Sequence, residues 1–296
     1  MMARFMAAVR AAQEGESFDI TSMILHHLAD SRELEMPWGV IHLPQWPPVH
    51  IGPITIDFSL TKHVVYMMLA ALLVALLLIV AARDAKRAHA AGAGVGPKGA
   101  ANVVEAFILY LRDEVALRNI GHGGERYVPY IVAVFFFVLF CNLLGLFPWG
   151  GSPTGNISVT AALAAMTFIM VEVAGMKALG AKGYAKTIFY VPEGLSPAMK
   201  IPMYLIMTPV ELLGKLTKPF ALAIRLYANM TAGHAVVLAL TGLLILAAYA
   251  SRLFIAPAPI IMAVAIMILE IFVAFLQAYI FAMLSAVFVG LIRQAH

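Results

Sequence analysis

Two stretches of this chain carry no charge over a length that spans a bilayer. Val64–Ala82 is an apolar run of nineteen residues, and Tyr127–Phe147 is one of twenty-one. At 1.5 Å per residue each can cross a hydrocarbon core of about 30 Å as a helix. Short of a closed barrel, only a helix satisfies its own backbone amides there. Three more apolar stretches follow. Ile157–Ala178 is interrupted by Glu172 and Lys177 toward its end, where a lysine can reach the headgroups. Ile201–Ala250 and Leu253–Ile292 are separated only by Ser251 and Arg252. The composition agrees: 62% hydrophobic and 12% charged, with a mean hydropathy of +0.90, whereas soluble chains are about 25% charged. The expected class is an all-α polytopic membrane protein with about five crossing helices.

The last two segments are too long for upright helices. Residues 219–250 as one helix measure about 48 Å, which a core of about 30 Å accommodates only at a tilt near 50°. Either the helices break, or they lie obliquely as a long hairpin over 201–292. Pro202, Pro209 and Pro219 punctuate the start of the first arm, and Pro257 and Pro259 the turn near 251–258. The oblique hairpin fits better. In 98–118, Val104, Phe107, Ile108, Leu111 and Val115 share one helical face while Glu105, Arg112, Asp113 and Arg118 lie elsewhere. That is the pattern of a helix lying on a membrane surface.

Orientation follows from the short loops. Arg83, Lys86, Arg87 and Lys98 follow the first span, the loop 148–156 has no lysine or arginine, and 179–200 carries Lys182, Lys186 and Lys200. The positive-inside rule puts 1–63 outside as an extracytoplasmic tail, with 64–296 as the membrane domain and the C-terminus in the cytoplasm. The tail holds His26, His27, His42 and His50 without metal-ligand spacing.

Several functions are excluded. The net charge of +4 and pI near 9.2 suit cytoplasmic loops of a membrane protein, and no basic patch interleaved with aromatics points to nucleic acid. Cys141, the single cysteine, can form no intramolecular disulfide and reads as a buried hydrophobe. Residues 1–16 lack the apolar length of a signal peptide, so the N-terminus is expected to be retained. Gly92–Gly99 looks like a phosphate loop, but Pro97 precedes its lysine and Gly99 replaces the hydroxyl residue that would ligate magnesium, which leaves a flexible linker. His234 is followed by Ala-Val-Val, so there is no zincin motif. No cofactor, metal site or nucleotide site is expected in this chain.

Arg225 is the costly residue. It lies between apolar neighbours in Phe220-Ala-Leu-Ala-Ile-Arg-Leu-Tyr-Ala-Asn-Met230, where an arginine at the helix centre costs roughly 2.5–3.5 kcal/mol and cannot escape by losing its proton. A structural ion pair is one reading; a functional cation is the other. At about 100° per residue, Glu211, Lys218 and Asn229 fall within about 40° of Arg225, whereas His234 points about 180° away. On the following segment Glu270 and Gln277 are seven apart and share a face. An antiparallel hairpin lets His234 and Glu270 meet. A proton path needs groups that titrate or hold water, while a permanent cation suits a barrier or counter-ion.

These residues resemble a family. Lys218-Pro-Phe-Ala-Leu-Ala-Ile-Arg-Leu-Tyr-Ala-Asn-Met-Thr-Ala-Gly-His234 is similar to the core motif of subunit a of the rotary (F-type) ATP synthase membrane sector. Phe275-Leu-Gln-Ala-Tyr-Ile-Phe281 looks like that subunit's second signature. Tyr127-Val-Pro-Tyr, Cys141-Asn-Leu-Leu-Gly-Leu-Phe-Pro148 and Gly155-Asn-Ile-Ser-Val-Thr160 resemble its earlier spans. The likeness covers about 98–292.

The resemblance implies that Arg225 is the stator arginine facing the ring of c subunits, with Gln277 its neighbour on the opposing helix. It implies that Asn229, His234 and Glu270 line a half-channel open to the outside and Glu211 one open to the cytoplasm. Well-known bacterial members carry an acid where His234 stands and a histidine where Glu270 stands; the order here is reversed, as in mitochondrial-type members. Implied partners are the c ring, the b subunits of the peripheral stalk, the rest of the ATP synthase and the lipid bilayer of a bacterial inner membrane. Proton translocation during ATP synthesis is the implied function. A secondary transporter holding an anionic substrate on Arg225 is the alternative, although no second copy of the 218–234 pattern supports repeated topology. A membrane enzyme would need a nucleophile beside a base, and none is placed.

Overall fold

The computed structural model describes residues 30–36, 39–51, 54–57, 59–90, 100–147, 150–189, 197–249 and 257–293. The signal-peptide reading, His26, His27, the Gly92–Gly99 linker and most of the hairpin turn near 251–258 lie outside the described residues.

Six long elements follow a short β-structured tail. Strands β1 (Glu33–Met36) and β2 (Gly39–His42) pair antiparallel with Leu34 opposite Ile41, and β3 (Val49–Ile51) pairs antiparallel with β4 (Ile54–Ile56). Such short strands leave no periodic signal in the sequence. The longer helices among the described residues are α1 (Lys62–Ala90), α2 (Ala100–Tyr110), α3 (Val128–Gly145), α4 (Ile157–Ile188), α5 (Pro197–Tyr249) and α6 (Pro257–Arg293). Among the described residues five are long and apolar enough to cross a membrane, over Lys62–Arg87, Gly124–Gly145, Ile157–Ile188, Lys200–Leu240 and Ile260–Arg293. The chain is an all-α polytopic membrane protein.

Burial explains why these helices need lipid. More than half (56%) of the apolar window of α3 is buried, against 17–33% in the other four. Met68, Leu72, Leu76 and Val80 of α1, and Leu205, Leu213 and Phe220 of α5, are all exposed. Large apolar faces of this kind are stable only against another apolar phase.

Three local features depart from the sequence reading. The segment expected as one helix over 98–118 begins as α2 and passes into a π-helical stretch, Leu111–Leu117, where the Arg118 amide donates to the carbonyl of Asp113. The widened turn brings Leu111, Val115 and Ala116 to full burial. In α4, Gly180 kinks the helix with φ +70°, a conformation only glycine adopts freely. And α5 runs on as one helix through Pro202, Pro209 and Pro219. Each proline deprives one carbonyl a turn earlier of its donor. Membrane helices tolerate this where Ser/Thr hydroxyls, neighbouring helices and local adjustments make up the bonding.

The chain divides into two compact units. The first comprises 1–75, 137–156 and 226–277. Here the tail is tied to the start of α1: the Lys62 amide donates to the Ser31 carbonyl at 2.9 Å, and Arg32 reaches Asp57 at 2.9 Å and Gln45 at 3.1 Å. Hydrogen bonds from Ser59, together with the Arg32 guanidinium, hold the Asp57 carboxyl below its ordinary range. The second unit comprises 76–136, 157–225 and 278–296. Its part of α6 buries Ala278, Phe281, Ala282, Ser285, Ala286 and Val289, a stripe at i, i+3 and i+4. Small residues in it permit close helix approach. Gly290 is the extreme case, since a Cβ there would collide with the Asn119 carbonyl.

Candidate functional site

In the first unit α5 and α6 run antiparallel, so residue numbers rise along one as they fall along the other. Two polar contacts mark the register. The Asn229 amide donates to Gln277 Oε1 at 2.9 Å, and one turn and more onward His234 Nδ1 stands 4.0 Å from Glu270 Oε1. The expected meeting of His234 with Glu270 is therefore present. Asn229 was assigned by helical phase to the stripe of Arg225, and its bond to Gln277 was not foreseen.

Two glycines make the His234 and Glu270 geometry possible. A Cβ on Gly233 would collide with the Glu270 carboxylate, so only glycine lets that group lie against α5. A Cβ on Gly145 would stand 2.9 Å from His234 Nε2 and Cε1. With none, His234 Nε2 lies 2.7 Å from the Gly145 carbonyl of α3 and Nδ1 lies 3.0 Å from the Met230 carbonyl. Glu270 and Gln277 are buried, and Glu270 Oε1 and Gln277 Nε2 have no hydrogen-bond partner.

A second network braces this pair. The Asn142 amide donates to the Ala274 carbonyl at 3.4 Å, and Thr154 Oγ1 donates to Asn142 Oδ1 at 2.7 Å. Ser152 lies 2.8 Å from Thr154 Oγ1 and 3.4 Å from the Cys141 carbonyl. All three polar side chains are buried. They fix α6 against α3 and the loop after it. Asn142 had a sequence signal, a polar residue inside an apolar run like Arg225, whereas Ser152 and Thr154 in the loop 148–156 had none.

In the second unit, Glu211, Glu172, Lys215, Lys218, Thr187 and Phe288 are among the residues lining a cavity of about 270 Å³. Lys215 and Glu172 pair across it at 3.7 Å with side chains only 10% and 13% exposed. The Lys215 ammonium also lies 3.4 Å from Thr187 Oγ1 and 4.5 Å from the Tyr184 ring centroid. Lys218 sits 5.5 Å from the Phe288 centroid. Glu211 borders this cavity. The Glu172 partner was missed because Lys215 lies off the stripe of Arg225, although a lysine between Gly214 and Leu216 was as costly a signal.

Arg225 is exposed on α5, and among the described residues it has no hydrogen-bond or ion-pair partner. Exposed on the same face are the small residues Ala221, Ala228 and Ala232, together with Lys218 and Asn229. An always-charged guanidinium on an apolar helix therefore points away from this chain, on a face that another helix can approach closely.

A protein-family model described as ATP synthase A chain matches residues 64–290. This chain belongs to that family. ATP synthase subunit a 2 of Chlorobaculum tepidum is 44% identical over 271 residues, which is 91% of this chain and 72% of the relative. ATP synthase subunit a of Myxococcus xanthus is 48% identical over 238 residues, 80% of this chain and 73% of the relative. That of Chloroherpeton thalassium is 42% identical over 268 residues, 90% and 75%. The subunit a resemblance read from 218–234 and 275–281 is thus the family found, and the matched residues contain the whole of both polar clusters.

Proposed function

We propose that this chain is the proton-translocating stator subunit of an ATP synthase membrane sector, with Arg225 facing the ring of c subunits and two aqueous half-channels meeting that ring from opposite sides. The observation that carries the reading is the exposed Arg225, without a partner among the described residues and with the small residues Ala221, Ala228 and Ala232 beside it. Its counter-charge then belongs to another chain. A carboxylate about 4 Å from the guanidinium gains about 4 kcal/mol at an effective dielectric near 20, which lowers its pKa by a few units. A c-ring carboxylate arriving at Arg225 would so be induced to release its proton to the cytoplasmic side, past Glu211 and the cavity beside it. Rotation carries it on to the outer half-channel, lined by Asn229, His234, Glu270 and Gln277, where it is reprotonated. Each 100 mV of membrane potential contributes about 2.3 kcal/mol per proton. Arg225 also separates the two channels, because a fixed cation opposes a continuous proton wire.

In this reading α5 and α6 lie obliquely in the bilayer with Gln277 beside Arg225, the 98–118 segment lies on the membrane surface, and the N-terminal tail is outside a bacterial plasma membrane with the C-terminus in the cytoplasm. The b subunits of the peripheral stalk hold the chain still against the ring. Disulfide cross-linking tests the central contact. Ala228→Cys, in a Cys141→Ala background, should cross-link to a cysteine placed beside the c-subunit carboxylate, and Leu72→Cys on the apolar outer face of α1 should not. Equal yields from both positions would refute the interface.

A further inference from the structure

The first unit holds a second imidazole that the two half-channels do not use. His63, at the start of α1, is 5% exposed, and neither of its ring nitrogens has a hydrogen-bond partner. It lines a cavity of about 20 Å³ together with Lys62, Ser152, Met230, Thr231 and His234. Thr231 Oγ1 is likewise buried without a partner. A water needs about 10–15 Å³ of such space and two to four polar partners, so this cavity fits one water bonded to His63 and Thr231 and lying against His234, whose neutral ring can donate to only one of the two carbonyls its nitrogens face. On the other side of the ring, His63 Nε2 lies 3.9 Å from Asp30 Oδ1. Asp30 is 32% exposed, its second oxygen 3.4 Å from the Asn156 amide, and the Ser31 to Lys62 backbone bond holds it at the head of α1. Exposure falls from Asp30 to His63 and stays low at His234 and Glu270.

We propose that Asp30 and His63 are the outermost relay of the outer half-channel: Asp30 collects protons from outside water, and His63 passes them through one cavity water to His234 and Glu270. The inference rests on the reading of His234 and Glu270 as that channel. The transfer balances, because the imidazole accepts a proton on one ring nitrogen, releases the one on the other, and resets by turning over. The charged and titratable groups facing His63 are Asp30 from the tail, Lys62 beside it on α1 and His234 from α5.

The test uses the complete ATP synthase in liposomes, making ATP from an imposed gradient while the pH on the tail side is varied from about 5 to about 8, the interval in which histidine changes charge. His63→Gln keeps polarity without a transferable ring proton. Synthesis should fall about 10²-fold near pH 8, the lower end of what a positioned acid–base group contributes, and the deficit should shrink toward pH 5 as protons become abundant. Asp30→Asn should shift the profile in the same direction by less. A deficit of the same size at every pH overturns the proposal, since a packing defect does not depend on proton supply. Normal synthesis by His63→Gln, with His234→Gln blocked, also overturns it and leaves the half-channel reading standing. If His234→Gln is harmless too, the half-channel reading itself fails. Should His63→Gln not co-purify with the c ring, Asp30→Asn decides alone: a profile identical to the unaltered complex overturns the relay.

Discussion

Replacing Gly233 with alanine should separate function from stability in this protein. The added methyl would stand 3.1 Å from Glu270 Cδ and 3.3 Å from Cγ, and would collide with Oε1. No hydrogen bond holds Oε1 in place, so the carboxylate can swing away by about 1 Å to reach normal contact. Overpacking costs about 1–3 kcal/mol, and alanine recovers about 1 kcal/mol of helix propensity, which leaves a net loss of about 0–2 kcal/mol. The complex should therefore assemble and melt within a few degrees of the unaltered one. The displaced carboxylate leaves its 4.0 Å station beside His234, and a misplacement of about 1 Å costs roughly 10²-fold in a positioned reaction. ATP-driven proton pumping in membrane vesicles, with assembly checked by co-purification of the c ring, measures both sides. Normal pumping by an intact Gly233→Ala complex would refute the claim that Glu270 works from this position. Loss of assembly in step with pumping would refute the claim that the carboxylate can yield.

His234→Glu or Glu270→His alone should each slow pumping strongly, the first by placing two carboxylates together and the second by leaving two imidazoles without an acid; the double exchange should recover a substantial part with an altered pH profile. A double variant no better than the worse single one, in intact assemblies, would make the two residues independent. Lys215→Met leaves the nearly buried Glu172 unpaired and should destabilise the chain by up to about 3–5 kcal/mol, while Lys215→Met with Glu172→Leu should regain most of it. Thermal midpoints of the purified complex read this directly, and equal losses from the single and double variants would show that the pair is not the source.

Legibility in the sequence followed the physics of each signal. The five apolar runs located five helices because a continuous apolar run of this length crosses lipid with its amides satisfied only as a helix, a barrel strand being shorter and alternating. Their ends were less visible: α1 continues past Ala82 through Arg83, Lys86 and Arg87, since a helix outlasts the hydrocarbon it crosses. Pro219 looked like a boundary and is interior to α5, because membrane neighbours compensate a missing amide. Gly180 was not singled out, because the sequence does not say which of its glycines takes a positive φ. At the site, helical phase sufficed for His234 with Glu270, where both residues stand out against apolar surroundings. It failed for Glu172 with Lys215, which are 3.7 Å apart on helices that sequence alone does not bring together. His63 escaped notice because it stands one residue before the run that begins at Val64, where a polar side chain costs nothing.

The account turns on Arg225 as a guanidinium that meets successive c-ring carboxylates. ATP-driven proton pumping by assembled Arg225→Lys complexes tests this most directly. Charge is kept, but lysine's compact ammonium lacks the planar fork and can lose its proton when desolvated. Pumping should be abolished, and Arg225→Ala should in addition leak protons passively. Near-normal pumping by the lysine variant would contradict the account, since any cation would then serve and the separation of the two half-channels would lie elsewhere.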